Sequence, residues 1–96
     1  MRVYRLYTEH KRKAWLIRLV SEYFDGFTVF NTTGVWKGVQ EKSVCIEVAT
    51  SDVAVEHKLN QISRAICGLN RQEAVLVTEH CVSAKLYKTN CVEELI

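Results

Sequence analysis

Thirteen consecutive residues, Asn31 to Ser43, carry most of the groups in this chain that could do chemistry. Thr32 and Thr33 offer hydroxyls, Trp36 an indole, Lys37 an ammonium, Gln40 an amide and Glu41 a carboxylate. Gly34 and Gly38 would let a ligand come close to the backbone. Trp36 could stack on an adenine or face a positive centre. Glu41 could orient a ligand or stabilise a cation. The plain alternative is a hairpin loop with one exposed tryptophan and solvated charges. Arg71-Gln72-Glu73 forms a second candidate, at a helix-to-strand corner, with a polar turn as its alternative. Glu79-His80-Cys81 invites a metal or nucleophile reading, but neighbours on a strand point to opposite faces, so no metal site is expected. His10 and His57 read as helix-surface residues, and Tyr4, Tyr7 and Tyr23 as core and interface residues.

These groups need a scaffold. Val3 to Tyr7 reads as a strand, with Thr8 placed to cap the next helix. Leu16, Leu19, Val20, Tyr23 and Phe24 recur at helical spacing, up to a turn at Asp25-Gly26. Phe27 to Thr33 is aromatic and β-branched, as strands are. Gly34 and Gly38 are then expected to bracket a turn holding Val35, Trp36 and Lys37. Ser43 to Ala49 is the next strand. Thr50-Ser51-Asp52 would cap a second helix with its stripe at Val55, Leu59, Ile62 and Ile66, ended by Gly68. Ala74 to Thr78 is apolar enough for a central strand. Val82 to Tyr87 extends it or forms another, and Glu93 to Ile96 is a short tail.

The order strand, helix, strand, strand, helix, strand predicts one α+β domain over residues 1–96. Its class is the ferredoxin-like βαββαβ arrangement, an antiparallel sheet with both helices on one face. The other face would carry Phe27 or Phe30 and Cys45 or Val44. Apolar residues on a bare sheet face predict a covering subunit, hence an oligomer.

Composition narrows the classes further. The 96 residues carry a net charge of +2, with 48% hydrophobic and 25% charged residues, ordinary globular usage. No apolar run approaches a membrane span, and the N-terminus does not read as a signal peptide. The expected compartment is the cytoplasm. Cys45, Cys67, Cys81 and Cys91 lie 22, 14 and 10 residues apart, which signals neither a zinc knuckle nor a redox dithiol. Residues 1–18 hold six basic side chains against Glu9 alone, a local charge of +5, and the remainder sums to −3. A basic end can attract a phosphate, though Lys11-Arg12-Lys13 is too short to read as a nucleic-acid patch. No Walker loop, nucleophile elbow or RNA-binding aromatic signature is present.

Thr33-Gly34-Val35-Trp36-Lys37, with Glu41-Lys42-Ser43-Val44, resembles two elements of the phage S-adenosylmethionine lyases, long called hydrolases. Gln72-Glu73-Ala74-Val75-Leu76-Val77, running toward Lys85-Leu86-Tyr87, is similar to a later strand of those enzymes. The turn between Trp36 and Glu41 is shorter here, and a long C-terminal extension is absent from the sequence. The resemblance implies a PII-like trimer with an adenosyl ligand between subunits and no cofactor. It implies a lyase in which the substrate's carboxylate attacks its own γ-carbon, expelling methylthioadenosine and leaving homoserine lactone. Glu41 would be the catalytic residue, facing the positive centre. Thr32, Thr33, Gly34, Trp36 and Gln72 would hold the substrate, Gln72 from across the interface. An adenylated S-adenosylmethionine would suit the same groove. Two alternatives stand beside this: a trimer that only binds or sequesters an adenine nucleotide signal, and an interaction module whose sheet face meets another protein.

Overall fold

The protein is described by a computed structural model covering residues 1–95. Its elements are β1 (Arg2–Glu9), α1 (Lys13–Ser21), β2 (Thr28–Trp36), β3 (Val39–Thr50), α2 (Val55–Asn70), β4 (Leu76–Cys81), β5 (Lys85–Tyr87) and β6 (Val92–Glu94). The main sheet runs β2-β3-β1-β4 and every neighbouring pair is antiparallel. That is the expected ferredoxin-like α+β fold.

Alternation along the strands divides the sheet into two faces. Tyr4, Leu6, Val44, Ile46 and Val48 point to one side and are buried with Leu16 and Val20 of α1 and Leu59, Ile62 and Ile66 of α2. Both helices therefore pack on the same face. Each such side chain taken fully out of water stabilises the fold by about 1.5–3 kcal/mol. The opposite face has no helix. Register places Phe30, Cys45, Tyr7 and Leu76 in one row across all four strands of it. Phe30 and Leu76, at the ends of the row, are 42% and 62% exposed. Of the paired expectations for this face, Phe30 and Cys45 hold. Phe27 and Val44 belong to the helix-side core.

Several boundaries differ from expectation, each for a local reason. Thr8 does not cap α1. It lies inside β1 opposite Val44, and its Oγ1 donates to Gln72 Oε1 at 3.0 Å. The chain enters α1 instead through Arg12, held in the left-handed region at φ 54°. Gly68 does not end α2, which runs on to Asn70. Arg71 takes the left-handed terminal position at φ 52°, and the Gln72 amide donates to the Cys67 carbonyl at 3.2 Å. Nor does the run Thr50-Ser51-Asp52 cap α2: the N-cap is Ala54, with no side-chain cap, and Asp52 instead accepts from the Ala54 amide at 2.8 Å in the turn ahead of the helix.

β4 starts later than expected and is an edge strand, not a central one, with all six residues exposed. Its apolar run serves both faces of an edge strand: Val75 and Val77 turn toward the helices, and Leu76 toward the open face. Lys85 to Tyr87 pairs with Val92 to Glu94 as a separate two-stranded sheet. The expected tail thus contributes β6, and Ile96 lies outside the described residues. No helix among the described residues is long and apolar enough to cross a membrane.

Candidate functional site

The stretch from Asn31 to Ser43 forms a long antiparallel ribbon, not the wide turn expected from its two glycines. Pairing continues from Thr28 opposite Glu47 out to Trp36 opposite Val39. Only Lys37 and Gly38 remain for the turn, at φ 50° and 77°. Positive φ at both central residues is the two-residue hairpin turn whose twist matches its strands. Gly38 supplies that geometry without strain. Gly34, Val35 and Trp36 therefore stand in a strand, and β3 begins four residues before the expected Ser43.

Strand alternation then sorts the side chains. Thr32, Gly34 and Trp36 of β2 and Val39, Glu41 and Ser43 of β3 share the open face. Thr33 is opposite Lys42 and points to the helix side. Gly34 faces Glu41, and a β-carbon on Gly34 would lie 3.6 Å from Ser43 Oγ and 3.8 Å from Glu41 Cγ. The missing side chain thus leaves a gap bordered by a hydroxyl and a carboxylate arm. Thr32 and Ser43 share a hydrogen bond at 2.6 Å at its inner end. At the outer end Trp36 is 59% exposed, and Lys37 Nζ sits 5.8 Å from its ring centroid. Among the described residues Glu41 forms no ion pair or side-chain hydrogen bond.

The structure brings Thr32, Gly34, Trp36 and Glu41 together. It adds Ser43 and Val39, whose membership follows from counting alternate residues once the ribbon is recognised as continuous strand. Gln72 is elsewhere in the subunit. It lies on the helix-covered side, holding Thr8 and donating from Nε2 to the Ala74 carbonyl at 2.9 Å. Two grooves of the surface also lie elsewhere. One, of about 460 Å³, runs between α2 and the β4 edge past Tyr4, Leu59, Val77 and Glu79. The other, of about 360 Å³, borders the entry to α2. The Glu41 face is flat and open within one chain.

Glu79 and His80 alternate across β4, and no group of three potential metal ligands occurs among the described residues. All four cysteines are free thiols, and burial raises the pKa of Cys45. On the open face near this row, Arg5 Nε donates to Glu47 at 2.9 Å, which holds the guanidinium charged.

No protein-family model and no curated protein matches this sequence. Among solved structures the chain is similar to one described as "De novo designed protein Foldit4", with 19% identity and a TM-score of 0.50. The match covers 84% of this chain and 94% of that one. At that identity the likeness concerns the fold alone.

Proposed function

We propose that this chain cleaves S-adenosylmethionine, or an adenylated conjugate of it, to methylthioadenosine (or its adenylated form) and homoserine lactone. The observation that supports this reading is Glu41. It is a carboxylate with no internal counter-charge, set beside the Gly34 gap and on the same face as an exposed tryptophan. A sulfonium is a cation without hydrogen-bond donors, so it is recognised by a nearby negative charge and an aromatic face. In the reaction the substrate's carboxylate oxygen bonds to its own γ-carbon and the carbon–sulfur bond breaks, its electron pair returning to sulfur. The protein's work would be to fold the methionine arm into attack geometry, keep Glu41 by the sulfonium and exclude water.

A flat face does not exclude water by itself. The reading therefore includes a second subunit over the open face, in a homotrimer, with the Phe30–Leu76 row as part of the buried surface. Incubation with S-adenosylmethionine, followed by chromatography and mass spectrometry, tests the proposal. Methylthioadenosine with homoserine lactone is the expected result.

A second reading is favoured by the two-residue turn at Lys37-Gly38. So short a turn has no loop to fold over a reactive ligand, which suits a protein that binds an adenine nucleotide and does not transform it. Saturable binding with no product distinguishes it.

A further inference from the structure

Five cationic side chains from four parts of the fold converge at the corner where β1 passes into α1. Lys11, Arg12 and Lys13 come from the strap and the start of α1, Lys42 from β3, and Arg71 from the end of α2. Backbone bonds fix them relative to one another: the His10 amide donates to the Lys42 carbonyl at 3.1 Å. Asn70 Nδ2 donates to the Lys11 carbonyl at 3.4 Å, and Lys11 Nζ donates back to the Asn70 carbonyl at 3.5 Å. Lys13 Nζ donates to Asn31 Oδ1 at 2.8 Å, on the same side of the ribbon as Lys42. We propose that this corner binds the phosphate group of a small phosphorylated ligand.

Charge is the first argument. Of the five cations only Lys11 has an ion-pair partner among the described residues, Glu9 at 3.3 Å. The other four have none among the described residues, and an anion bound at the corner would offset their charge. Backbone conformation is the second. Arg12 and Arg71 both hold positive φ, and both flank the Lys11–Asn70 contact. Glycine would fit such backbone without strain, so an arginine kept there points to a use for its side chain. The Arg12 guanidinium lies 5.0 Å from the Trp15 ring centroid, within cation–π reach, and makes no ion pair among the described residues. Third, Asn70 is buried at this corner and its Oδ1 has no hydrogen-bond partner in the described chain. That acceptor is shielded from solvent, so a ligand hydroxyl would reach it only with a local opening of the corner.

The ligand is small because the charge is local. Nucleic acid is held by cations spread along a track of phosphates. Here the residues beyond 18 sum to −3, so the rest of the chain supplies no net positive charge for such a track.

The test is a titration of isotopically labelled protein with pyrophosphate, followed by amide resonances. Residues 10 to 14, 42 and 71 should shift together along one saturable curve, and sodium chloride at matched ionic strength should not reproduce it. The double variant Arg12→Gly with Arg71→Gly removes two cations while relaxing two strained positions, so it should melt no lower than the parent. Its affinity for pyrophosphate should fall about tenfold or more, the effect of losing a charge-assisted hydrogen bond. Shifts that follow ionic strength alone, or an unchanged affinity in the double variant, would overturn the proposal. So would a single-stranded oligonucleotide that displaces pyrophosphate with a steep salt dependence, which would assign the corner to nucleic acid. The titration uses no adenosyl ligand, so its outcome is separate from that of the Glu41 reading.

Discussion

Gly34 and Glu41 face each other across the β2–β3 ladder, and the Glu41 side chain passes 3.8 Å from where a Gly34 β-carbon would stand. That distance is ordinary van der Waals contact, so Gly34→Ala should fold without displacement. Glycine inside a strand costs about 0.5–1 kcal/mol relative to alanine, so the variant should gain up to that amount. Gly34→Leu would fill the gap and should abolish binding of S-adenosylmethionine. Thermal melts and calorimetric titration of both variants separate the two effects.

Glu41→Gln keeps size and loses charge. Among the described residues Glu41 has no partner to strand, so the melting temperature should stay within about 2–4 °C, as for exposed substitutions away from any network. Turnover of S-adenosylmethionine should disappear. Full activity in this variant would remove Glu41 from the site. Trp36→Ala should weaken binding of the sulfonium by about 0.5–1 kcal/mol, the worth of a cation–π contact at an exposed position.

Thr8→Val should destabilise the fold by about 1 kcal/mol in urea denaturation. The change removes the hydroxyl that donates to Gln72 Oε1 while keeping the shape of the side chain. An unchanged midpoint would mean that the Gln72 amide finds another donor.

Asp52 makes a pH-dependent contribution. The hydrogen bond from Lys58, and then that from the Ala54 amide, lower its pKa below the usual 3.8. A depressed carboxylate pKa stabilises the fold above the unfolded value, and the effect fades as pH falls through the folded one. The parent should therefore melt above Asp52→Asn near neutral pH, with the two curves converging as pH falls below the usual 3.8. Parallel melts across that range check it.

Thiol labelling should proceed in stages. Cys81 and Cys91 are exposed, Cys67 is half-buried, and Cys45 is buried with its pKa raised by desolvation. A thiolate is the reactive form. Mass spectrometry after brief alkylation should find Cys81 and Cys91 modified first, and Cys45 only in denaturant.

The order of elements was legible because hydrophobic period changes with each one: Leu16 and Val20 at helical spacing, Val44, Ile46 and Val48 at alternation. The ribbon was not. Gly34 and Gly38 look alike in sequence, yet only Gly38 has positive φ, and Gly34 is a strand residue kept free of a side chain. The helix ends were misread for a related reason. Thr8 and Gly68 satisfy local preferences, but tertiary bonding uses Thr8 for Gln72, while arginines take the left-handed positions. The site's composition could be read, whereas its shared face needed the register of β2 on β3. Gln72 was grouped with these residues by resemblance, and within one subunit the sheet separates it from them.

β1 is one of the two inner strands, and both its partners lie far along the chain: Arg2 pairs with Thr50 on one side and with Cys81 on the other. One edge of β1 can be paired only once Thr50 has been made, and the other only after Cys81. Folding of such a sheet is governed by closing long loops, which is slow compared with the formation of α1 or α2. During that interval the apolar side chains of β1 are uncovered, and the emerging chain is at its most vulnerable to chaperone capture and to aggregation.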